Sequence, residues 1–266
     1  MPQITTLCSG SSGNSVLVRG DGGTTLLVDM GQSCRKTLYA LKDLGIYPQD
    51  IDAVLITHEH SDHVSGLNTF LKHYSVPLYV SELSASVMLN EKTVPSGTEM
   101  RYVHAGEDFS VGDIRIIPFR TSHDSADCIG YCFCFSDGSR AAIATDTGYV
   151  PDDVMSVLRG CSVVCLESNY DDRMLLTGPY PYYLKSRIRS KNGHLCNDDC
   201  AAAAVSLVES GTKTLVLMHL SAENNMPAIA RMTVETALEN NGFSGRCRVI
   251  TAPRFEPCET VVFGAE

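Results

Sequence analysis

The chain has 266 residues, 44% of them hydrophobic and 20% charged, with a formal net charge of −10. This allows a sizeable core with an ordinary globular balance, and it argues against non-specific coating of nucleic acid. No apolar run approaches the roughly 18 residues that span a bilayer, and Met1-Pro2-Gln3-Ile4 lacks the regions of a signal peptide, so a cytoplasmic protein with no membrane partner is expected.

In chain order, short runs rich in Val, Ile, Leu and Tyr predict strands over Ser15–Arg19 and Thr25–Asp29. A helix over Cys34–Leu44, a strand over Ala53–Thr57 and a helix over Val64–Lys72 follow. Further strands are expected over Pro77–Val80, Ile114–Phe119, Ile129–Phe135, Arg140–Thr145 and Val163–Glu167. Asp198–Glu209 reads as helix, Thr214–His219 as strand and Pro227–Asn240 as helix. In the last, Ala230, Val234, Ala237 and Leu238 share a face. Pro227 suits its first turn and Gly242 its C-terminal cap. No linker rich in Pro, Gly or Ser divides the chain, so one layered α/β domain over residues 1–266 is expected.

The eleven cysteines are scattered and form no C-x-x-C pair. A zinc ribbon or redox dithiol is therefore unsupported. Reduced thiols acting as small buried hydrophobes fit better.

The chemistry gathers at Thr57-His58-Glu59-His60-Ser61-Asp62-His63, a loop that follows the buried run Ala53-Val54-Leu55-Ile56. Imidazoles packed this closely repel one another when protonated and cost free energy when buried without partners. A divalent cation resolves both problems, and Zn²⁺, Mn²⁺ or Fe²⁺ accepts nitrogen and carboxylate donors. Three more donors follow apolar runs: His123, Asp146 and His219. Singly, each is more often a hydrogen-bonded structural residue. Together with the loop they suit a site for two divalent metal ions. Acidity is no obstacle to phosphate there, because the cations supply local positive charge.

The pattern His58-x-His60-x-Asp62-His63, then His123, Asp146 and His219, resembles the signature of the metallo-β-lactamase superfamily. The resemblance implies a four-layer αβ/βα sandwich of two similar halves, with two mixed β-sheets flanked by helices. It implies that His58, His60 and His123 hold one metal, that Asp62, His63 and His219 hold the other, and that Asp146 bridges them. A bridging carboxylate in place of a cysteine points away from the antibiotic-cleaving members.

Cys165-Leu166-Glu167-Ser168-Asn169 and Gly193-His194-Leu195-Cys196-Asn197 resemble motifs of the nuclease branch that includes ribonuclease Z. This implies that His194 protonates the leaving oxygen and Glu167 orients it, with Asp62 also catalytic. Segments from Ser9–Ser15 to His219–Asn225 are similar, almost end to end, to the WalJ (YycJ) group of small bacterial hydrolases. That similarity implies an exonuclease acting on DNA from the 5′ end, using a hydroxide bridged by two metals. A small or cyclic phosphodiesterase, a ribonuclease or a thioester hydrolase would use the same scaffold. A non-catalytic sensor has no use for an open two-metal site. The chain shows neither room for a β-CASP domain nor an arm like that of ribonuclease Z.

Three weaker features remain. Ser11, Ser12 and Asn14, in a Gly/Ser loop, and Asn169 are expected to face substrate. The stretch from Tyr180 to Lys191 carries four basic residues and three tyrosines; it reads either as a strand-binding surface or as a solvated helix face. His73, His104, Glu59 and Ser61 are assigned no ligand role.

Overall fold

A computed structural model describes residues 1–264. Among them the strands assemble into two seven-stranded sheets. In the first, β1 (Gln3–Cys8), β2 (Ser15–Arg19), β3 (Thr25–Val28), β4 (Ala53–Leu55), β5 (Leu78–Val80) and β6 (Met100–Tyr102) lie side by side in chain order. In the second, the same is true of β7 (Phe109–Val111), β8 (Ile114–Arg120), β9 (Ile129–Cys134), β10 (Arg140–Ala144), β11 (Val163–Glu167), β12 (Thr214–Met218) and β13 (Arg248–Thr251). β14 (Val261–Val262) returns to flank β1. The helices are α1 (Cys34–Asp43), α2 (Ser61–Val64), α3 (Leu67–His73), α4 (Glu82–Asn90), α5 (Asp152–Leu158), α6 (Asp172–Thr177), α7 (Tyr182–Ile188), α8 (Asn197–Glu209) and α9 (Pro227–Asn240). None of them is long and apolar enough to cross a membrane.

The two halves repeat one topology, as the resemblance implies. β1, β2 and β3 pair antiparallel, and β3 to β6 continue parallel. β8, β9 and β10 pair antiparallel, and β10 to β13 continue parallel. Parallel strands need both faces covered, and the alternation supplies this. Val16 and Val18 of β2 pack between the sheets, whereas Leu17 faces the layer with Leu41 and Phe70. Val163 and Cys165 of β11 enter the inter-sheet core, whereas Val164 and Leu166 meet Leu207 of α8 and Val234 of α9. The result is helix, sheet, sheet, helix. All eleven cysteines are free, and all but Cys134 and Cys247 are buried.

Most predicted elements form within a residue or two of their expected ends, and Gly242 takes a positive φ of 77° after α9. One helix differs. The expected Val64–Lys72 segment breaks into α2 and α3 at Ser65-Gly66. There Gly66 donates its N–H to Met30 O at 2.9 Å, and a Cβ on it would lie 2.2 Å from Gln32 O. That close approach binds the metal-donor loop to the end of β3. Three-residue strands such as β6 and β7 are too short for alternation to reveal.

Tyr131 of β9 joins the two sheets. It is fully buried, and its hydroxyl donates to Ile56 O at 2.7 Å, two residues before His58. Tyr131→Phe strands that carbonyl and is expected to cost about 1–3 kcal/mol. Thermal melting checks this, and an unchanged midpoint would contradict the role given to the hydroxyl.

Candidate metal centre

The expected donors collect where strands end. Asp146 follows β10, His219 follows β12, and His58 lies three residues past β4. Asp146 and His219 adopt left-handed backbone, with φ of 55° and 56°, and so does Asp29 after β3, with φ of 59°. Non-glycine residues rarely take this conformation, and it concentrates at functional sites. Asp29 lies one residue past β3 and Asp146 two residues past β10, each just beyond the last antiparallel strand of its half.

The structure brings all seven expected donors together. His58, His60 and His123 form one group whose donor atoms lie within 4.8 Å of one another, and Asp62, His63 and His219 form a second. His58 Nε2 stands 3.0 Å from His60 Nδ1, and His219 Nε2 stands 3.3 Å from Asp62 Oδ2. Asp146 lies between the groups, with Oδ2 at 3.2 Å from His63 Nε2 and Oδ1 at 3.8 Å from His123 Nε2. Donors bonded at about 2.0–2.2 Å to one tetrahedral ion stand about 3.3–3.6 Å apart, so these spacings suit shared coordination. Asp146 Oδ2 is buried without a hydrogen-bond partner among the described residues, a cost that a cation would remove. The donor set therefore fits divalent metal.

Four of the five donor imidazoles have a partner at their other nitrogen, which fixes the ring. His63 Nδ1 donates to Asp29 Oδ2 at 2.8 Å, His123 Nδ1 to Gly193 O at 3.0 Å, and His219 Nδ1 to Glu167 Oε1 at 3.0 Å. Thr57 Oγ1 lies 3.1 Å from His58 Nδ1. Sequence reading missed Asp29. Its carboxylate also accepts the Thr57 N–H and hydroxyl, each at 2.8 Å, so it fixes the loop and His63 together. An Asp closing a buried strand was the available signal.

The charges divide by environment. Burial, then the neighbouring His63 imidazole, pushes the His58 imidazole well below its ordinary value, and burial also lowers His123. Burial opposes charge on His63 and His219 too, but carboxylates outweigh it and raise both well above the usual value. Asp146 and Asp29 act on His63, and Asp146, Asp62 and Glu167 act on His219. Burial likewise disfavours the Asp146 anion, yet His219, His63 and His58 hold its carboxyl well below the usual range.

A cleft of about 260 Å³ opens onto the donors, with Ser11, Asn169, Arg187 and His194 on its walls. His194 Nδ1 donates to Glu167 Oε1 at 2.7 Å, and Glu167 Oε2 accepts the Thr147 N–H at 2.7 Å. One buried carboxylate thus serves both His194 and His219. Helix α8 is capped by Cys196, whose Sγ accepts the Asp199 N–H at 3.3 Å, so His194 is not a capping residue.

The expected substrate contacts divide. Ser11 and Ser12 are exposed, and Ser11 borders the cleft. Asn14 corrects its expectation, because it is buried beneath the donor loop. Its backbone N–H donates to Asp62 O at 2.8 Å, and its side-chain amide lies 3.1 Å from His63 Nε2. Asn169 is mostly buried and donates to His219 O at 2.8 Å. Glu59 is not a donor to the cluster; it accepts from Ser84 Oγ and the Ala126 N–H, each at 2.7 Å. His73 and His104 are exposed.

A doubled sandwich with this donor cluster on its strand ends defines the metallo-β-lactamase fold class. The Beta-lactamase superfamily domain matches residues 24–220. The chain is 38% identical over 239 residues to the exodeoxyribonuclease YycJ of Bacillus anthracis, covering 89% of each chain. It is also 38% identical to the exodeoxyribonuclease WalJ of Streptococcus pneumoniae, covering 87% of this chain and 86% of that one. The metallo-β-lactamase fold protein YhfI of Bacillus subtilis superposes with a TM-score of 0.73 at 17% identity, over 97% of this chain and 98% of that one. The chain belongs to the β-lactamase superfamily of metallo-hydrolases, in the branch that holds the YycJ and WalJ proteins.

Asp29→Asn keeps the shape but weakens the bond that orients His63. Divalent-cation affinity, measured against a chelating dye, is expected to fall about 10–100-fold; unchanged affinity would refute the orienting role. The chelator-treated protein also has a definite pH response. His63 and His219, raised in the folded state, contribute fully below the ordinary value of 6.5 and lose that contribution as pH climbs above it. His58 and His123, depressed from 6.5, weaken folding below it. Melting temperature of the metal-free protein is therefore expected to peak near pH 6.5, and a monotonic rise to pH 9 would contradict the charge assignment.

Proposed function

We propose that this protein hydrolyses phosphodiester bonds in nucleic acid as a DNA exonuclease working from the 5′ end. His58, His60 and His123 would hold one divalent cation and Asp62, His63 and His219 a second, with the Asp146 carboxylate between the two donor groups. Zn²⁺, Mn²⁺ and Fe²⁺ all suit these nitrogen and oxygen donors. The observation that carries the reading is the meeting of the two donor groups at Asp146, beside a His194–Glu167 pair on the cleft wall. The names of the YycJ and WalJ relatives support DNA as the substrate. Free cysteines throughout the chain suit the reducing cytoplasm.

When bound, the cations supply Lewis acidity, neutralising phosphate charge and lowering the pKa of water. The chain's own residues do the rest. Asp62, partly exposed at the cleft, accepts a hydrogen bond from the attacking water. Glu167 holds His194 through Nδ1, leaving Nε2 to pass a proton to the departing oxygen. Because Thr147 pins the far oxygen of Glu167, the dyad is kept in one orientation without rearrangement. Ser11, which also lines the cleft, offers a hydroxyl to the phosphate.

His194→Ala is expected to retain its metal while kcat on DNA falls about 10²–10⁴-fold. His63→Ala is expected to lose both metal and activity. Metal analysis beside kinetics separates these, and metal loss in His194→Ala equal to that in His63→Ala would sink the proton-donor role. The substrate class is tested with Mn²⁺ or Zn²⁺ and 5′-labelled duplex DNA, single-stranded DNA, RNA, bis-p-nitrophenyl phosphate and a thioester. Cleavage of the thioester alone, or of nothing, would overturn the nuclease reading.

A further inference from the structure

The cleft of about 260 Å³ is smaller than pockets that enclose even a drug-sized ligand. It holds only the reacting end of a polynucleotide, so the remainder of the strand must cross the rim. The Tyr180–Lys191 stretch stands out in the sequence as the cationic candidate, but two of its four cations, Arg187 and Arg189, are already paired with carboxylates. Arg187 pairs with Asp124, Arg189 Nε lies 3.2 Å from Asp172 Oδ1, and Lys185 Nζ donates to Leu176 O and Gly178 O at 2.7 and 2.8 Å.

A different cluster, in which no cation forms an ion pair among the described residues, lies beside the Ser9–Ser15 loop. Phe255 is 63% exposed, with Lys36 Nζ at 5.6 Å and Arg254 Cζ at 6.0 Å from its ring centroid. Arg35 stands 5.5 Å over the exposed ring of Tyr39. Among the described residues none of these three cations forms an ion pair, and neighbouring Glu256 pairs with none of them. The cluster abuts the metal centre. Arg254 Nη2 donates at 3.3 Å to Leu220 O, the residue between His219 and cleft-lining Ser221, and Ser9 N–H donates at 3.1 Å to Pro253 O. Arg35 and Lys36 occupy the first turn of α1, which has no acid. Cations there oppose the helix dipole, so helix stability does not account for them.

We propose that Arg35, Lys36, Arg254 and Phe255 form a landing surface for the strand leaving the cleft, the cations meeting its phosphates and Phe255 stacking a base. On a chain of net charge −10, this concentrates positive charge where a polyanion needs it. Exposed aromatic faces bind single strands of any sequence. The surface rests on the nuclease reading for its substrate, but its test is independent of turnover.

The test is fluorescence anisotropy of a labelled phosphorothioate oligodeoxythymidylate, which resists cleavage, with the intact purified protein at several salt concentrations. The Arg35→Glu/Lys36→Glu protein is expected to bind at least about tenfold more weakly, with a log K against log salt slope shallower by about 0.7 for each phosphate that no longer meets a cation. Phe255→Ala is expected to weaken binding about fivefold or more with the salt slope unchanged. Lys213→Glu, before the far end of β12, serves as the charge control and is expected to bind as wild type. Unchanged affinity and slope in the double variant, or equal weakening by Lys213→Glu, would overturn the surface. Failure of the wild type to cleave any nucleic acid while binding depends on these residues would overturn the nuclease reading alone.

Discussion

Burying ionisable groups is the constraint on which the rest of the structure depends. His58, His63, Asp146, Glu167 and His219 are each no more than 2% exposed. An isolated charge in such surroundings is too costly to persist. The fold answers by alternating signs, setting the carboxylates of Asp29, Asp146 and Glu167 against imidazoles. The alternation is incomplete, since His58 faces other imidazoles and one oxygen of Asp146 accepts nothing among the described residues. The deficit is a deficit of positive charge at a point where nitrogen and oxygen lone pairs converge, which is what a divalent cation supplies.

The backbone bears part of this cost. Three strand ends turn through left-handed conformation at Asp29, Asp146 and His219. Each is followed by a loop whose hydrogen bonds tie it to another loop of the site: Met30 to His63 O, Gly148 to Ser122 O, and Ser221 to Asn169 O. Asp146 and His219 are therefore positioned directly by sheet ends, and the loop that carries His58–His63 is tied to the end of β3 through Met30. The repeated topology explains why Asp29 and Asp146 fall in corresponding regions of the two halves. The same turn at the end of the last antiparallel strand yields a supporting carboxylate in one half and a central carboxylate in the other.

Glu167 connects the parts of the site. Its Oε1 meets both His194 and His219, and its Oε2 meets the backbone beyond Asp146. The group proposed to hold metal and the group proposed to move a proton thus share one buried anion, so a change at either imidazole is felt by the other. The neighbouring surface is organised on the opposite principle. There Arg35 and Lys36 are exposed and Arg254 is half-buried, and none of the three forms an ion pair among the described residues.

What the sequence by itself determined was the kinds of donor, their order and the strands they follow, because apolar runs and His/Asp chemistry are local properties. His58, His60, Asp62 and His63 are readable as a site since a single loop carries them, and the strands that bear His123, Asp146 and His219 are readable by their composition. Only the tertiary structure decided which nitrogen each ring turns inward, that Asp29 supports His63, that Asn14 lies beneath the loop rather than at the cleft, and that Lys36 and Arg254 meet at the Phe255 ring. Such relations join residues up to about two hundred positions apart. They are set by how two sheets pack and by where buried charge finds its counterpart, and no local periodicity records either one.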